Sequence, residues 1–147
     1  MEDYIIGEGD FMVIKGKTKK DILKQCKGSK IKIYKPTSEE LLRFALERTS
    51  IDIIYGMEGI NPRDGVHYVR GGLDQVTAKI AASKGKIIGF SYSELINSPN
   101  RAKLMARMKL NLKLCKKYSV KTVFASFGKE KRSEKDVESL KNVITSN

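Results

Sequence analysis

Histidine is nearly absent from this chain of 147 residues, in which His67 is the only one. Metal-dependent phosphoesterases with α/β folds hold their metals through clustered histidine and aspartate ligands, and one imidazole cannot supply such a cluster. A nuclease mechanism with paired acid and base histidines is excluded by the same count. We therefore predict neither a metal site nor a catalytic residue.

Cysteine is also scarce, and long apolar runs are missing. Cys26 and Cys115 lie far apart inside predicted helices, which is typical of reduced, cytosolic thiols. No run of about 18 apolar residues predicts a transmembrane helix, and the acidic first residues do not resemble a signal peptide. We therefore expect a cytoplasmic protein that does not enter a membrane.

Phosphate-binding and acid–base motifs are missing as well. No G-x-x-x-x-G-K-[ST] sequence occurs, and the fragment GEG at residues 7–9 precedes a predicted strand instead of following one. The acids Asp52, Asp64 and Asp74 are spread over a strand, a loop and the start of a helix, so no carboxylate pair is predicted. Asp74 is best explained as an acid that favours a helix N-terminus.

Positive charge, by contrast, is abundant. The formal net charge is +12, and 40% of the residues are apolar, enough for the core of one domain over residues 1–147. Residues 95–129 contain no acid and nine basic residues: Arg101, Lys103, Arg107, Lys109, Lys113, Lys116, Lys117, Lys121 and Lys129. This imbalance favours a polyanionic partner, nucleic acid first and an anionic membrane surface second. A lysine-rich solvated surface is the alternative without a partner.

Strand and helix patterns alternate along the chain. Apolar runs predict strands at residues 11–14, 30–35, 51–55, 86–91 and 120–126. Helices are predicted after the caps Thr18, Thr37 and Ser133 and over residues 73–84 and 101–118, with residues 56–72 and 92–100 as loops. Strict alternation predicts an α/β fold with a parallel sheet, either open and doubly wound or part of a (β/α) barrel. In both architectures residues 56–72, 92–100 and 127–132 meet at the carboxyl edge of the sheet.

Two of the predicted helices have defined inward faces. The helix over residues 73–84 is predicted to bury Leu73, Val76, Thr77 and Ile80. A projection of residues 101–118 at 100° per residue places one apolar arc inward: Leu104, Met105, Met108, Leu112 and Cys115. The opposite side carries only basic residues, with two leucines among them that we expect to be exposed: Lys103, Arg107, Lys109, Lys113, Lys116, Lys117, Leu110 and Leu114. Since solvated helix faces usually mix charges of both signs, we interpret this side as a contact surface for nucleic acid and for protein.

A second basic run offers an alternative site. Nine lysines share residues 15–35 with one acid, Asp21: Lys15, Lys17, Lys19, Lys20, Lys24, Lys27, Lys30, Lys32 and Lys35. No aromatic signature of a base-stacking domain is present, so recognition of phosphates and shape is predicted instead of base reading.

Short segments of the chain resemble archaeal ribonuclease P protein component 3, the counterpart of the thirty-kilodalton subunit of the eukaryotic enzyme. The matching segments are residues 72–79 (GLDQVTAK), 89–91 (GFS), 95–96 (LI), 116–120 (KKYSV) and 125–126 (AS), with Arg101 and Met108 between them. They agree in order, spacing and element type from about residue 52 to the end of the chain.

The resemblance implies a partial or degenerate TIM-barrel-like fold, distantly similar to phosphoesterases of the polymerase and histidinol phosphatase type but without their metal site. It implies a non-catalytic, RNA-binding protein subunit of ribonuclease P, whose RNA subunit removes the 5′ leader from precursor tRNA. The implied partners are the ribonuclease P RNA, precursor tRNA and a small ferredoxin-like protein subunit. Magnesium is expected on the RNA, and no cofactor in the protein.

The chain departs from the family in length and in two motifs. Family members usually exceed 200 residues. In the family a histidine often follows the acidic or Asn residue of the loop-to-helix motif, and this position is Gln75 here. Residues 126–128 (SFG) replace a Ser-Ser-Ala-like turn. A partial barrel has two open sheet edges, which a second copy or the partner subunit would cover.

The resemblance and the charge pattern together give the expected RNA contacts. Arg101, Lys116 and Lys117 occupy basic positions of the matching segments, Arg63 and Arg70 precede them, and the charge pattern adds Arg107, Lys113 and Lys121. The alternatives are a degenerate metal-dependent phosphoesterase and a general nucleic-acid-binding module.

Overall fold

A five-stranded parallel sheet organises the protein. The computed structural model describes residues 11–128 and 133–145. Its strands are β1 (Phe11–Ile14), β2 (Ile31–Tyr34), β3 (Ile53–Tyr55), β4 (Ile87–Ser91) and β5 (Lys121–Ala125). Its helices are α1 (Lys19–Gln25), α2 (Glu39–Arg48), α3 (Gln75–Lys84), α4 (Tyr92–Asn97), α5 (Arg101–Lys117) and α6 (Glu134–Thr145). All the strand pairs are parallel, so the predicted α/β class is confirmed.

The strand order decides between the two predicted architectures. Each strand pairs with the next one along the chain, in the order β1-β2-β3-β4-β5. Right-handed crossovers in this order place every connecting helix on the same face, whereas a doubly wound sheet reverses its order to cover both faces. The fold is therefore barrel-like, and among the described residues the sheet is open between β1 and β5.

Alternating side chains give the sheet two apolar faces. The face toward the helices contributes Tyr34, Ile54, Ile88, Phe90 and Phe124 to the main core. The opposite face forms a second cluster: Ile33, Ile53, Tyr55, Ala125 and Phe127. Since neighbours in one strand belong to different clusters, the apolar runs read from the sequence correspond to strands buried on both sides.

Gly89 makes room for the second cluster at the centre of the sheet. A Cβ atom at this position would lie 2.7 Å from the ring of Phe127 and 3.2 Å from Cβ of Tyr55. The rings of Tyr55 and Phe127 stack with their centroids 4.6 Å apart. Phe127 holds this position with a left-handed backbone, φ 46°, which bulky residues adopt rarely. The absence of a side chain at Gly89 therefore permits the stack.

Helix caps follow the predicted chemistry with one shift. Thr18 accepts a hydrogen bond from the N–H of Asp21 at 3.2 Å, and Ser133 accepts one from Asp136 at 3.2 Å, as predicted. The cap of α2 is Ser38 and not Thr37, because the Ser38 hydroxyl accepts the N–H of Leu41 at 3.1 Å.

Two further predictions about local structure were wrong. Residues 92–97 form α4 and not a loop, because Ser91 caps a turn there by accepting the N–H of Glu94 at 3.1 Å. Val76 is 51% exposed and not inward, because α3 begins only after the cap Asp74 and turns Ala78 and Ala81 toward the core.

We expect Gly89→Ala to lower the free energy of unfolding by about 1–3 kcal/mol, because the added methyl group overpacks the stacked rings. Gly59→Ala is the matched control, since no atom lies within 4 Å of the Cβ that it adds. Urea denaturation followed by circular dichroism measures both variants. Equal stability of Gly89→Ala and the wild type would contradict the assigned packing.

Candidate nucleic-acid interface

α5 carries five of the eight predicted RNA contacts. It begins after Asn100, whose side-chain oxygen accepts the N–H of Lys103 at 3.1 Å. It ends with Lys116 and Lys117, whose positive charges are stabilised by the negative end of the helix dipole. Because α5 connects two parallel strands, it runs antiparallel to them. Its 17 residues span about 25 Å at 1.5 Å per residue. Its first turn therefore lies at the carboxyl edge of the sheet and its last turn at the amino edge.

The structure separates the predicted contact residues into two groups. Arg63, Arg70 and Arg101 belong to the carboxyl edge, two in the loop after β3 and one in the first turn of α5. The other group extends along the last turns of α5 to the start of β5 and is exposed: Lys113, Lys116, Lys117 and Lys121. Roughly 20 Å of helix separates Arg101 from Lys116, so these residues do not form one site.

Arg107 belongs to neither group, because its side chain is buried, with 4% of it exposed. Its guanidinium donates to Oδ1 of Asp64 at 2.8 and 3.0 Å, to the backbone oxygen of Glu58 at 2.7 Å and to that of Asn61. The prediction that Arg107 lies on the outward basic side was wrong. The loop over residues 56–72 folds onto this turn of α5 and uses Arg107 to satisfy its backbone carbonyls.

Two neighbours on the same side of α5 hold the same loop. Lys103 donates through Nζ to the backbone oxygen of Pro62 at 2.6 Å, and the buried Asn111 donates through Nδ2 to that of Gly71 at 2.8 Å. Lys103, Arg107 and Asn111 are spaced four residues apart, so they lie above one another on the helix. We call these three residues the polar stripe.

The polar stripe changes the predicted inward face of α5. The centre of the predicted apolar arc is confirmed, since Met108, Leu112 and Cys115 are buried. The remaining apolar residues are half-buried, whether predicted inward or outward: Leu104, Met105, Leu110 and Leu114. The buried face is therefore rotated toward the loop, and the two leucines expected among the lysines are less exposed than predicted.

The electrostatics of the loop follow from the same contacts. The backbone N–H of Arg70 donates to Oδ1 of Asp64 at 2.9 Å, and this bond together with the Arg107 guanidinium lowers the pKa of the Asp64 carboxyl. Asp64 therefore stays ionised and supports the buried cation. Its role is structural.

A lysine that the sequence did not single out joins the group near the amino edge. Lys79 of α3 and Lys117 of α5 each place Nζ 5.5 Å from the centre of the Tyr118 ring. Because the electron-rich face of an aromatic ring attracts cations, the Tyr118 ring holds the two ammonium groups close together despite their like charge. We call the resulting set the basic surface: Lys79, Lys113, Lys116, Lys117 and Lys121. Contacts between different helices carry no sequence signal, so only the fold reveals Lys79.

The basic surface has no neutralising partner among residues 11–128 and 133–145. None of its five lysines forms an ion pair with a described residue. The run over residues 15–35 differs, because Lys19 pairs with Glu40, Lys35 pairs with Glu94 and Lys32 is buried. The other six lysines of that run are exposed and have no ion pair among the described residues, so the run remains an alternative site for a polyanion. Lys129 of the acid-free stretch lies outside the described residues.

Two carboxylates that the sequence did not bring together line one cavity at the carboxyl edge. Glu58 follows β3, Glu94 belongs to α4, and the cavity between them has a volume of about 370 Å³. Glu58 is 3% exposed, and burial raises its pKa to about 7 against a hydrogen bond from Asn111. This is the one strongly perturbed acid within the part of the chain that the structure describes.

Residues 11–128 and 133–145 contain neither a metal-binding cluster nor a membrane-spanning helix. No group of three or more His, Cys, Asp or Glu residues there is placed to hold a metal ion. None of the helices in these ranges has the length and apolar character to cross a bilayer. His67 is exposed in the loop after β3.

Comparisons with known proteins agree with the resemblance. No protein-family model matches the chain. Over 91 residues it is 34% identical to ribonuclease P protein component 3 of Methanosarcina mazei, a match that covers 60% of this chain and 35% of that protein. A chain of the cryo-EM structure of archaeal ribonuclease P with mature tRNA matches its fold, with a TM-score of 0.72 and 21% identity over 92% of this chain and 60% of that chain.

The chain resembles ribonuclease P protein component 3. The resemblance predicted from its segments is therefore confirmed by an independent sequence match. The solved structure extends the likeness to the fold of 92% of the chain. The chain spans about a third (35%) of the length of the ribonuclease P protein component 3 that it matches.

We expect Arg107→Met to lower the free energy of unfolding by roughly 2–4 kcal/mol, because Asp64 and two loop carbonyls lose their buried partner. Lys113→Met removes a charge from an exposed position of the same helix and serves as the control, with an expected change within about 0.5 kcal/mol. Guanidinium denaturation compares the two. A change at Arg107 as small as that at Lys113 would refute the structural role.

The raised pKa of Glu58 makes stability depend on pH. The folded protein holds the Glu58 proton up to a pH of about 7, whereas the ordinary pKa is 4.5. The tighter binding of this proton in the folded state contributes to the free energy of unfolding. The contribution is complete below pH 4.5 and is lost as the pH rises through 7. Glu58→Gln stays neutral, so we expect it to be more stable than the wild type at about pH 8, by on the order of 3 kcal/mol, and equally stable at about pH 4.

Denaturant titrations of the wild type and Glu58→Gln at both pH values measure this difference. If the difference in the free energy of unfolding between the two proteins does not increase with pH, Glu58 is ionised in the folded state.

Proposed function

We propose that this chain is a non-catalytic, RNA-binding protein subunit of ribonuclease P, which supports the removal of the 5′ leader from precursor tRNA by the RNA subunit. The observation that carries the proposal is the 34% identity over 91 residues to ribonuclease P protein component 3. Two further observations support it: the fold shared with a chain of archaeal ribonuclease P, and an exposed basic surface without ion pairs to any described residue.

The basic surface explains how the protein would act on RNA. Its lysines are exposed, and each has a compact charge on a flexible side chain, which suits contacts with phosphates. Lysine lacks the planar guanidinium with which arginine makes paired hydrogen bonds to base edges. Each phosphate that a lysine neutralises releases condensed counterions, which drives binding and makes it depend on salt. Bringing five cations to one edge of the protein would reduce repulsion between RNA strands and favour the active fold of the RNA.

The proposal includes the partners that such a subunit needs. They are the ribonuclease P RNA, precursor tRNA within the complex, and a small ferredoxin-like protein subunit, in the cytoplasm. The edge strands β1 and β5 each have one unpaired side among the described residues, which suits the protein partner or self-association. Magnesium would act on the RNA, and the protein itself would need no cofactor.

Reconstituted cleavage of precursor tRNA tests the proposal. With the cognate RNA and the partner subunit at low magnesium, we expect omission of this protein to reduce cleavage strongly, because RNA phosphates then repel one another unscreened. Unchanged cleavage would refute the proposed function. Hydrolysis of a phosphoester by the protein alone with Mn²⁺ would instead identify a degenerate phosphoesterase.

Charge-removal variants test the surface. The triple variant Lys113→Ala, Lys116→Ala, Lys117→Ala should bind the RNA at least about tenfold more weakly, and the slope of log affinity against log salt should fall by about 2 to 3. The control Lys20→Ala, Lys24→Ala, Lys27→Ala removes the same charge from exposed positions at α1. A larger loss in the control would move the site to residues 15–35, and equal wild-type affinity for unrelated structured RNA would indicate a general nucleic-acid-binding module.

A further inference from the structure

The cavity at the carboxyl edge lies apart from the basic surface. It opens where β2 and β3 end, beside α4 and the first turns of α5, and its volume of about 370 Å³ is at the small end of ligand-binding clefts. On α5 the basic surface begins at Lys113, about 15 Å along the helix from Lys103, and continues toward the opposite edge. The phosphate contacts proposed above therefore leave this cavity without a function.

Glu58 is one of the residues that line the cavity, and one of its two carboxyl oxygens lacks a partner among the described residues. Only 3% of Glu58 is exposed, and among the described residues its Oε1 atom has no hydrogen bond. Buried polar atoms nearly always have one. Arg107 donates to the backbone oxygen of Glu58 at 2.7 Å, which fixes the backbone from which the carboxyl group extends. A ligand that enters the cavity would find a preorganised group ready for hydrogen bonding.

Two ammonium groups, the carboxylate of Glu94 and an apolar side chain also line the cavity. Lys35 at the end of β2 pairs with Glu94, and Lys103 donates to the oxygen of Pro62 at 2.6 Å. Each ammonium carries three donors, so both keep donors for a ligand. Leu104 adds an apolar wall. The cavity thus combines cations, an apolar wall and a buried carboxyl group.

We propose that this cavity binds one unstacked nucleotide of an RNA strand, with the base against Leu104 and Glu58 and the phosphate at Lys35 and Lys103. A nucleotide has the matching parts: an anionic phosphate, a flat apolar face and a polar base edge. The inference deepens the proposed function, because it supplies a contact to a base where the basic surface supplies contacts to phosphates.

The protonation state of Glu58 gives the site a distinctive selectivity. A neutral carboxyl group donates from one oxygen and accepts with the other, which matches the neighbouring donor and acceptor on the pairing edge of every base. A carboxylate only accepts, and guanine alone presents two neighbouring donors on that edge. Since the pKa of Glu58 is about 7, the site should accept all bases below neutral pH and prefer guanine above it.

Titration of the full chain with single nucleoside monophosphates tests the site. At about pH 6 we expect AMP and GMP to bind with similar affinity, and at about pH 8 we expect AMP to weaken at least about threefold more than GMP, as Glu58 ionises. A short unstructured oligonucleotide should bind more tightly than a mononucleotide, which separates an RNA strand from a free nucleotide as the natural ligand. Inorganic phosphate that binds as well as AMP would overturn the proposal.

Variants locate the binding. Glu58→Leu should weaken AMP at least about tenfold, the effect of one lost hydrogen bond to a buried group. Glu58→Gln restores a donor and an acceptor, so it should bind AMP and lose the pH dependence. Lys35→Ala should weaken AMP more than adenosine, because only AMP carries the phosphate. Lys141→Ala, an exposed charge removal on α6, is the control and should bind like the wild type.

The outcomes separate this proposal from the function above. If Glu58→Leu fails to fold, Glu58→Gln and Lys35→Ala still decide. The inference would be overturned if the wild type bound no nucleotide or if Glu58→Leu bound AMP normally. Glu58 would then have only a structural role, beside Asn111. If structured RNA still binds through the basic surface in that case, the proposed function stands alone.

Discussion

The carboxyl edge of the sheet depends on the polar stripe of α5. Lys103, Arg107 and Asn111 donate to backbone oxygens along the loop over residues 56–72. That loop is too long and too polar to be held by apolar packing alone, and its buried carbonyls need donors. Three donors one helical turn apart supply them, and the same contacts place Glu58 and one wall of the cavity.

The polar stripe also determines what remains of the basic side of α5. Once Arg107 turns inward, the exposed charge is concentrated toward the amino edge, where Lys79 adds a cation from a second helix. α5 therefore has an apolar side, a polar side toward the loop and a charged side toward solvent. Surface charge and cavity lie at opposite ends of one helix, so changes to one need not disturb the other.

Much of the fold could be predicted from the sequence, because its causes are local. Strand runs, helix periodicity and the caps Thr18 and Ser133 depend on neighbouring residues, and the predicted strands agree with the structure to within two residues. Two of the failed predictions also have local causes, since Ser91 caps α4 and Asp74 caps α3. The position of Arg107 was predicted wrongly because of a distant contact, its pairing with Asp64 in the loop over residues 56–72. The outward positions predicted for Lys113, Lys116 and Lys117 are confirmed, because no loop covers that part of α5.

The sequence by itself determined the α/β class, the excess of positive charge and the likeness to ribonuclease P protein component 3, because composition, periodicity and matching segments need no coordinates. Only the tertiary structure decided that Arg107 is a buried partner of Asp64, that Lys79 joins the basic surface, and that Glu58 is a buried acid at a cavity. A helical projection gives the direction of a side chain and not what packs against it. Burial and charge pairing arise from segments far apart in the chain, so they appear only when the chain is folded.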